Sequence, residues 1–519
     1  MYRFIVLPII SLLLVIFSGC DSKPPVQLTV LAGSELKDLQ PFFQKIRKET
    51  GIELQMEYIG TLDGAEKLAS GAVYDMAWFS HGKYLSMIPE TKGRIHAQEK
   101  IMLSPVVLGI KQNKAKQWGW LDSQKIRWSD IAEKAASGEL RYAMTNPASS
   151  NSGFTSLLGV AAAFSSGKSA ITSSDVDKDK LKQFFTGQKL TSGSSGWLAE
   201  AYVREQNKLD GLINYESVLM SLNTSGELRE KLHLIYPTEG IVTADYPLML
   251  LKSSQRESFK SLVTYLKSEE FQQLIMEKTN RRPVIPQIRP SGNFSRAMLV
   301  ELPFPADRAT VDSLIFSYLD EVRPPSSPLF LLDVSGSMKD QRIKNLRLAL
   351  KNLTGLDNTL TGKFSRFRVR EQVVLLPFNH KPYRPTVINV NSGESDSPDM
   401  EFIRQFVDNL QANGGTAIYA TLIEAYKIAG EQKQKYPNRF YSIVLLSDGK
   451  NEHAIGYADF EQFYKSQPPA TKDIKTFTIL FGNAHKEEMH QVADLTGGRV
   501  FDGQSKSLAS VFKKIRGYQ

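Results

Sequence analysis

The fold of the C-terminal part of the chain is decided by one stretch, Leu329-Phe330-Leu331-Leu332-Asp333-Val334-Ser335-Gly336-Ser337. Its continuous apolar run is typical of a central parallel strand that is buried on both faces. Three oxygen-bearing side chains follow at alternate positions just beyond the predicted strand end. Because ligands of open α/β sheets bind at the carboxyl ends of the strands, this stretch indicates a ligand site. Short Asp/Ser runs also form turns, so the stretch alone leaves both interpretations open.

Two later segments favour a metal site. Gly414-Gly415-Thr416 precedes a helical pattern over 417–429, and the apolar run 441–446 ends in Ser447-Asp448-Gly449. Hydroxyl and carboxylate oxygens are ligands that suit Mg²⁺. In order and separation, the three segments resemble the metal-ion-dependent adhesion site of von Willebrand factor type A (VWA) domains. The resemblance implies a site for Mg²⁺, or for Mn²⁺ or Ca²⁺, formed by Asp333, Ser335, Ser337, Thr416 and Asp448.

The resemblance also implies a fold and a role for each residue. Residues 328–519 are expected to form a doubly wound, Rossmann-like sheet with helices on both faces. The two serines are expected to contact the ion directly, Thr416 directly or through water, and the two aspartates mostly through bound waters. A carboxylate from a protein partner is expected to complete the coordination sphere. Such a site has no positioned base or nucleophile, so we expect binding and not catalysis.

The N-terminus has the pattern of an export signal. A short basic segment, Met1-Tyr2-Arg3, is followed by an apolar run over 4–17 and by Phe17-Ser18-Gly19-Cys20, which contains the single cysteine of the chain. The run is of signal-peptide length and short for a membrane span. It resembles the bacterial lipobox, which implies a signal peptide over 1–19, lipidation of Cys20 and a tether over 20–26. A buried structural cysteine is the competing interpretation.

Between residues 27 and 280, predicted strands and helices alternate, which indicates an α/β domain with a mainly parallel sheet. We expect strands at 27–31, 52–58 and 75–79, and one helix from Ser34 to Glu49. These stretches, with 146–153 and 235–247, resemble extracytoplasmic solute-binding proteins, the two-lobed receptors of ABC importers. Residues 281–327 are then a connecting segment, ending in the linker-like run Arg323-Pro324-Pro325-Ser326-Ser327-Pro328.

The cleft implied by the two-lobed resemblance has several candidate ligand residues. Small polar residues over 149–153 precede a helical pattern over 154–164, and a helix N-terminus suits an anion. Simple N-capping explains the same residues equally well. Other candidates lie at strand-to-helix turns. The full set of candidates is Ser34, Ser80, Ser149, Ser150, Asn151, Ser152, Asn214, Tyr215 and Glu216.

The net charge of +9 arises from 64 basic and 55 acidic residues that are spread along the chain, without a nucleic-acid motif. This mild excess fits solubility, or an acidic partner. We expect a lipid-anchored extracytoplasmic binding protein, on the periplasmic face of the inner membrane if the cell is Gram-negative, since Asp21 resembles a retention signal. Its VWA domain would bind a protein through the metal, and its N-terminal domain a small solute or peptide segment. The alternatives are a receptor of an ABC importer and an envelope hydrolase.

Overall fold

The computed structural model describes residues 24–121, 125–165, 171–172, 174–290, 292, 294–295 and 299–519. They form a two-lobed N-terminal domain, a connecting segment and a C-terminal domain. The expected signal peptide and the lipidation site Cys20 lie outside the described residues. Within the described ranges, no helix combines the length and the apolar character needed to cross a bilayer.

The two lobes of the N-terminal domain each contain one sheet. Their strands are β1 (Val26–Gly33), β2 (Ile52–Ile59), β3 (Met76–Trp78), β4 (Ala97–Lys100), β5 (Met102–Lys111), β6 (Tyr142–Thr145), β7 (Gln188–Ser192), β8 (Gly211–Tyr215), β9 (Leu232–Ile235), β10 (Thr243–Ala244), β11 (Pro247–Leu250) and β12 (Arg282–Pro283). The first sheet has the order β2-β1-β3-β11-β4, and the second has β10-β5-β8-β6-β7, with β9 and β12 also paired to β5.

The expectation of a mainly parallel sheet is wrong for this domain. Strand β11 runs antiparallel to β3 and β4, and β5 runs antiparallel to β8, β9, β10 and β12. Neighbouring parallel strands need a crossover connection, usually a helix, whereas a strand that arrives from the other lobe can enter the sheet in either direction. The chain passes between the lobes near residue 101, near residue 246 and again near residue 281. Strands that follow these passages therefore enter both sheets in the antiparallel direction.

Helices cover the faces of both sheets. They are α1 (Phe43–Thr50), α2 (Thr61–Ala69), α3 (Lys83–Met87), α4 (Pro89–Lys92), α5 (Gln112–Gln117), α6 (Trp128–Ala136), α7 (Asn151–Ala163), α8 (Lys178–Thr186), α9 (Ser195–Glu205), α10 (Glu216–Thr224), α11 (Arg256–Leu266) and α12 (Glu269–Thr279). The single helix expected from Ser34 to Glu49 is instead a 3₁₀ segment, Ser34–Phe42, followed by α1. Pro41 lies in that segment and cannot donate the hydrogen bond that a continuous α-helix requires.

The C-terminal domain is a doubly wound sheet, as expected. Its strands are β13 (Ser326–Asp333), β14 (Gln372–Phe378), β15 (Thr386–Asn389), β16 (Phe440–Ser447), β17 (Lys475–Leu480) and β18 (Arg499–Asp502), in the order β15-β14-β13-β16-β17-β18. All neighbours are parallel except the edge strand β15. The apolar run of β13 is central and buried on both faces, which confirms that expectation.

The helices are α13 (Arg308–Ser317) in the connecting segment, then α14 (Gln341–Lys351), α15 (Leu360–Ser365), α16 (Pro398–Asp408), α17 (Ile418–Lys435), α18 (Tyr457–Ser466), α19 (Pro469–Lys472), α20 (Lys486–Leu495) and α21 (Leu508–Arg516).

The end of the expected linker is part of the sheet. Strand β13 begins at Ser326, and Arg323 just before it is buried. Both residues donate hydrogen bonds to the buried carboxylate of Glu371, at 2.6 Å from Ser326 and 2.9 Å from Arg323. Arg516 of α21 pairs with the same carboxylate at 2.7 Å. This buried network explains why a Pro- and Ser-rich run is ordered here and does not act as a flexible linker.

The C-terminal domain contacts both lobes of the N-terminal domain. On the first lobe, the backbone N–H of Thr361 donates to Glu66 of α2 at 2.6 Å. On the second lobe, the ring of Trp197 in α9 packs against Tyr518 at 5.1 Å and Phe477 at 6.4 Å between centroids. The C-terminal domain therefore bridges the two lobes.

Candidate functional site

Three loops at the carboxyl ends of β13 and β16 form the candidate metal site; we call residues 333–337, 414–416 and 447–449 the metal-site loops. Two backbone hydrogen bonds connect the first loop to the second one and to Asn413, which directly precedes it. The N–H of Gly336 donates to the carbonyl of Gly414, and the N–H of Asn413 donates to the carbonyl of Val334, each at 2.8 Å. The third loop follows β16, which pairs directly with β13. The sheet thus positions two of the loops, and the backbone bonds position the other.

The five predicted side chains lie together in these loops. The hydroxyl oxygens of Ser335 and Ser337 are 3.0 Å apart, and the Ser337 hydroxyl donates to Asp448 Oδ1 at 2.6 Å. The backbone N–H of Ser335 donates to Asp333 Oδ1 at 2.8 Å. A Cβ built on Gly449 would lie 3.4 Å from the Thr416 hydroxyl and 3.7 Å from that of Ser337, so these two hydroxyls border the same space.

The site concentrates negative charge in a buried place. Asp333 and Asp448 are almost completely buried, whereas Ser337 is exposed. Burial raises the pKa of Asp333 to about 6, and the nearby Asp448 carboxylate acts in the same direction. The Ser447 hydroxyl donates to Asp333 Oδ2 at 2.6 Å and opposes that shift. A carboxylate held in this way is stabilised by a bound cation, and the exposed serine leaves one side of the site open.

The donor set fits a hard divalent cation. It has two carboxylates and three hydroxyls, and Mg²⁺ prefers oxygen ligands of this kind. In the part of the chain that the structure describes, no group of three or more His, Cys, Asp or Glu side chains is placed to hold a metal. The metal-site loops do not depend on such a group because their hydroxyls contribute most of the donors. Two neighbouring residues were missed by sequence reasoning. Ser447 lies in the third loop and bonds to Asp333, and Arg342 lies in α14, from which its guanidinium pairs with Asp448.

In the N-terminal domain, Asn151 joins the two lobes. Its side-chain oxygen accepts from the N–H of Thr61 at 2.9 Å, and its amide donates to Glu35 Oε1 at 3.0 Å. Thr61 and Glu35 belong to the first lobe, and Asn151 begins α7 in the second. Burial raises the pKa of Glu35. The cleft is therefore closed in this structure by direct contacts between polar groups of its two walls.

A group of polar side chains, all buried except the half-buried Glu35, lies where the lobes meet. We call Glu35, Ser80, Tyr215, Tyr246 and Arg281 the inter-lobe polar cluster. The Arg281 guanidinium is 5.0 Å from the centre of the Tyr246 ring and donates to the Glu35 carbonyl at 3.1 Å. The rings of Tyr215 and Tyr246 are 6.2 Å apart. Among the described residues, the hydroxyls of Ser80, Tyr215 and Tyr246 make no hydrogen bond of good geometry. The Ser80 hydroxyl nevertheless lies near that of Tyr215, and the Arg281 guanidinium lies near that of Tyr246. Buried hydroxyls are normally paired, so these three are available to a ligand or to water.

The other candidate cleft residues do not lie together around the cleft. Ser34 is exposed, and Ser149 packs against Gly517 of the C-terminal domain. Ser150, Ser152 and Asn214 are buried inside the second lobe, where the Ser152 hydroxyl contacts Thr145 and Ser195 and the Asn214 amide donates to the Ser195 carbonyl. Glu216 forms a bidentate ion pair with Arg282, with both distances 2.7 Å. Sequence reasoning missed Glu35, Tyr246 and Arg281, since nothing in their local sequence marks them.

Residues 329–514 match the family model of the von Willebrand factor type A domain. Residues 28–278 match a second family model, described as bacterial extracellular solute-binding protein. The chain thus combines a solute-binding-protein-like domain of an extracytoplasmic family with a VWA domain, and the α/β fold class predicted for both halves is confirmed.

Individual proteins are similar to one or the other half. A curated relative, inter-alpha-trypsin inhibitor heavy chain H2 of Sus scrofa, is 26% identical over 164 residues, which cover 30% of this chain and only 16% of that protein. The periplasmic binding protein AfuA of Actinobacillus pleuropneumoniae is 12% identical with a TM-score of 0.42, covering 57% of this chain and 98% of its own. A von Willebrand factor type A structure from Catenulispora acidiphila is 21% identical with a TM-score of 0.30, covering 38% and 43%.

Proposed function

We propose that the chain is a lipid-anchored extracytoplasmic binding protein whose VWA domain captures a protein partner through a divalent ion. Asp333, Ser335, Ser337, Thr416 and Asp448 would hold the ion, with Mg²⁺ the first candidate. The bound ion would supply a direct bond to a carboxylate of the partner. Its charge would also offset that of the buried Asp333 carboxylate, which otherwise repels an incoming carboxylate.

The observation that carries the proposal is the convergence of three hydroxyls and two carboxylates beside an exposed edge of the sheet. The domain uses other parts for its contacts with the N-terminal domain. Lys475, at the amino end of β17, pairs with Glu205, and Asp473 just before it pairs with Lys208. The metal-site loops lie at the carboxyl ends of the strands. A partner can therefore reach the exposed Ser337 without displacing the N-terminal domain.

Capture from native membranes tests this function. The full chain, immobilised with Mg²⁺, is expected to retain a partner that chelator releases. Asp333→Ala should retain none of it, while Asp396→Ala, which removes an exposed carboxylate elsewhere in the VWA domain, should behave as wild type. Equal capture by wild type and Asp333→Ala, with or without chelator, would contradict metal-dependent binding.

For the N-terminal domain we propose binding of a small polar solute at the inter-lobe polar cluster. The hydroxyls of Ser80, Tyr215 and Tyr246 can each donate and accept a hydrogen bond. The Arg281 guanidinium pairs with Asp38, but its Nε–H has no partner among the described residues, so it adds a donor that favours a ligand with acceptor oxygens. Mass spectrometry of small molecules released from the denatured, purified chain tests this. A ligand present in wild type should be lost from Tyr246→Phe combined with Ser80→Ala, and its retention there would contradict the assignment.

Two alternatives receive less support. A receptor of an ABC importer must open and close, but here the VWA domain contacts both lobes through Glu66 and Trp197. An envelope hydrolase needs a base beside a nucleophile. His81 lies 3.8 Å from Asp245, but within the described residues neither of its ring nitrogens has a hydrogen-bond partner. We therefore propose binding and not catalysis.

A further inference from the structure

Arg342 contacts the candidate metal site from the first turn of α14. One of its guanidinium nitrogens, Nη1, donates to Asp448 Oδ2 and also to the carbonyl of Ser337, the latter at 3.3 Å. The Asp448 side chain is fully buried, and that of Arg342 is 31% exposed. Since the Ser337 hydroxyl donates to the other oxygen of Asp448, both oxygens of this carboxylate are engaged.

The protein provides space for this guanidinium. Gly482 follows β17 with a φ of +54°, a conformation that favours glycine. A Cβ at Gly482 would lie 3.0 Å from both Nε and Cζ of Arg342, and 3.0 Å from Cβ of Asp448. A side chain at this position would therefore push Arg342 away from Asp448. The pair depends on residues from three separate segments, which argues against an accidental surface contact.

We propose that Arg342 is a tethered cation that competes with the divalent ion for the charge of Asp448, and thereby sets the metal affinity of the site. The inference rests on the proposed function, because it assumes that the metal-site loops bind an ion. A buried carboxylate requires a counter-charge, and in the absence of metal Arg342 supplies it. An ion held by the hydroxyls of Ser335 and Ser337 must share Asp448 with a positive group. Like charges around one carboxylate weaken each other's binding.

The direction of the effect separates this role from a purely structural one. If Arg342 only ordered the loops, its removal would weaken metal binding. If Arg342 competes with the ion, its removal strengthens metal binding and destabilises the metal-free protein. Lys344 provides a matched control, since it lies on the same helix, is exposed and carries the same charge.

The test is a calorimetric titration of the full chain with Mg²⁺ and with Mn²⁺. Arg342→Gln is expected to bind both ions more tightly than wild type, on the order of tenfold. Lys344→Gln should match wild type, because its charge is farther from Asp448 and is screened by solvent. Arg342→Lys keeps the charge and should stay closer to wild type than to Arg342→Gln. Thermal unfolding without metal should show Arg342→Gln below wild type, and saturating Mg²⁺ should remove that difference.

Unchanged or weaker metal affinity in Arg342→Gln, with a wild type that binds the ion, would overturn the inference and leave the proposed function standing. Binding by Arg342→Gln alone would support the inference in its strongest form. Absence of binding in wild type and in all variants would overturn both. An equal gain in Lys344→Gln would also overturn the inference, because it would assign the effect to overall charge.

Discussion

The metal-site loops and the inter-lobe polar cluster are built from similar residue types but are assembled differently. In the VWA domain, Asp333, Ser335 and Ser337 come from a single turn, and β16, the direct neighbour of β13, delivers Asp448 to the same edge. In the N-terminal domain, Glu35 and Arg281 are separated in sequence by most of the domain and meet where the chain passes from one lobe to the other. The metal-site loops are thus positioned by adjacent strands of one sheet, whereas the inter-lobe polar cluster depends on how two sheets are arranged.

This difference determines what a polar residue near each site does. In the metal-site loops, the polar side chains face one another around a space that is open at Ser337. In the N-terminal domain, several polar residues that follow strands are engaged in internal contacts and are not free to bind a ligand. Glu216, for example, is paired with Arg282. The same sequence pattern, a polar residue at a strand end, thus marks a candidate ligand site in one domain and an internal ion pair in the other.

The largest effect should come from Glu216→Ala, which tests whether this residue is structural. It leaves the buried guanidinium of Arg282 without its bidentate partner, and we expect a loss of about 4 kcal/mol in the free energy of unfolding. Chemical denaturation measures the loss. Replacing both partners, as Glu216→Leu with Arg282→Met, should recover much of the stability. A Glu216→Ala protein that is fully stable but has lost a bound solute would place Glu216 in the ligand site instead.

A somewhat smaller effect concerns His81, which is buried beside the cleft. Burial outweighs the Asp245 carboxylate 3.8 Å away and lowers the pKa of His81 from 6.5 to about 4. Between these pH values the unfolded chain binds a proton that the folded chain excludes, so stability falls as pH falls from 6.5 to 4, by about 3 kcal/mol from this residue. His81→Gln should remove that part of the pH dependence, while His96→Gln, at an exposed position of the same lobe, should leave it unchanged. Identical profiles of stability against pH for His81→Gln and wild type would contradict the assignment of this pH dependence to His81.

The smallest effect is expected for Thr416→Ala. Thr416 borders the site across Gly449 but is one of five oxygen donors, and a water can replace its hydroxyl. We expect Mg²⁺ affinity to fall about tenfold, with the fold unchanged. Thr386→Ala, on the edge strand β15, serves as the matched control. An unchanged Mg²⁺ affinity in Thr416→Ala would place the loop 414–416 outside the metal site. Only the other two loops would then supply ligands.

The sequence predicted the VWA half well because its information is local. The apolar run before Asp333 fixes a buried strand, and the alternation of Ser335 and Ser337 beyond it fixes which side chains share an edge. Arg342 was missed because its role depends on Gly482, a residue far along the chain. Charged residues in the first turn of a helix are common, and the local sequence gives no sign that this one pairs with a buried carboxylate.

For the N-terminal half, the sequence predicted the two α/β lobes but not which side chains meet between them. Strand–helix alternation indicated α/β lobes, yet the direction of β11 and β5 depends on how the chain passes between them. Residues placed by that passage cannot be read from local periodicity, which explains why Tyr246 and Arg281 were missed. Pro41 was visible in the sequence, and its effect on the first helix could have been anticipated.

The central claim is that the metal-site loops bind a divalent ion, and one titration tests it most directly. The full chain is titrated with Mg²⁺ by calorimetry, as wild type, Asp333→Ala and Asp396→Ala. We predict saturable binding by wild type and Asp396→Ala, and a loss on the order of a hundredfold or more in Asp333→Ala with an unchanged circular dichroism spectrum. The buried strand beneath the site does not need the ion, so the fold should persist. The same binding curve for Asp333→Ala and wild type would contradict the account.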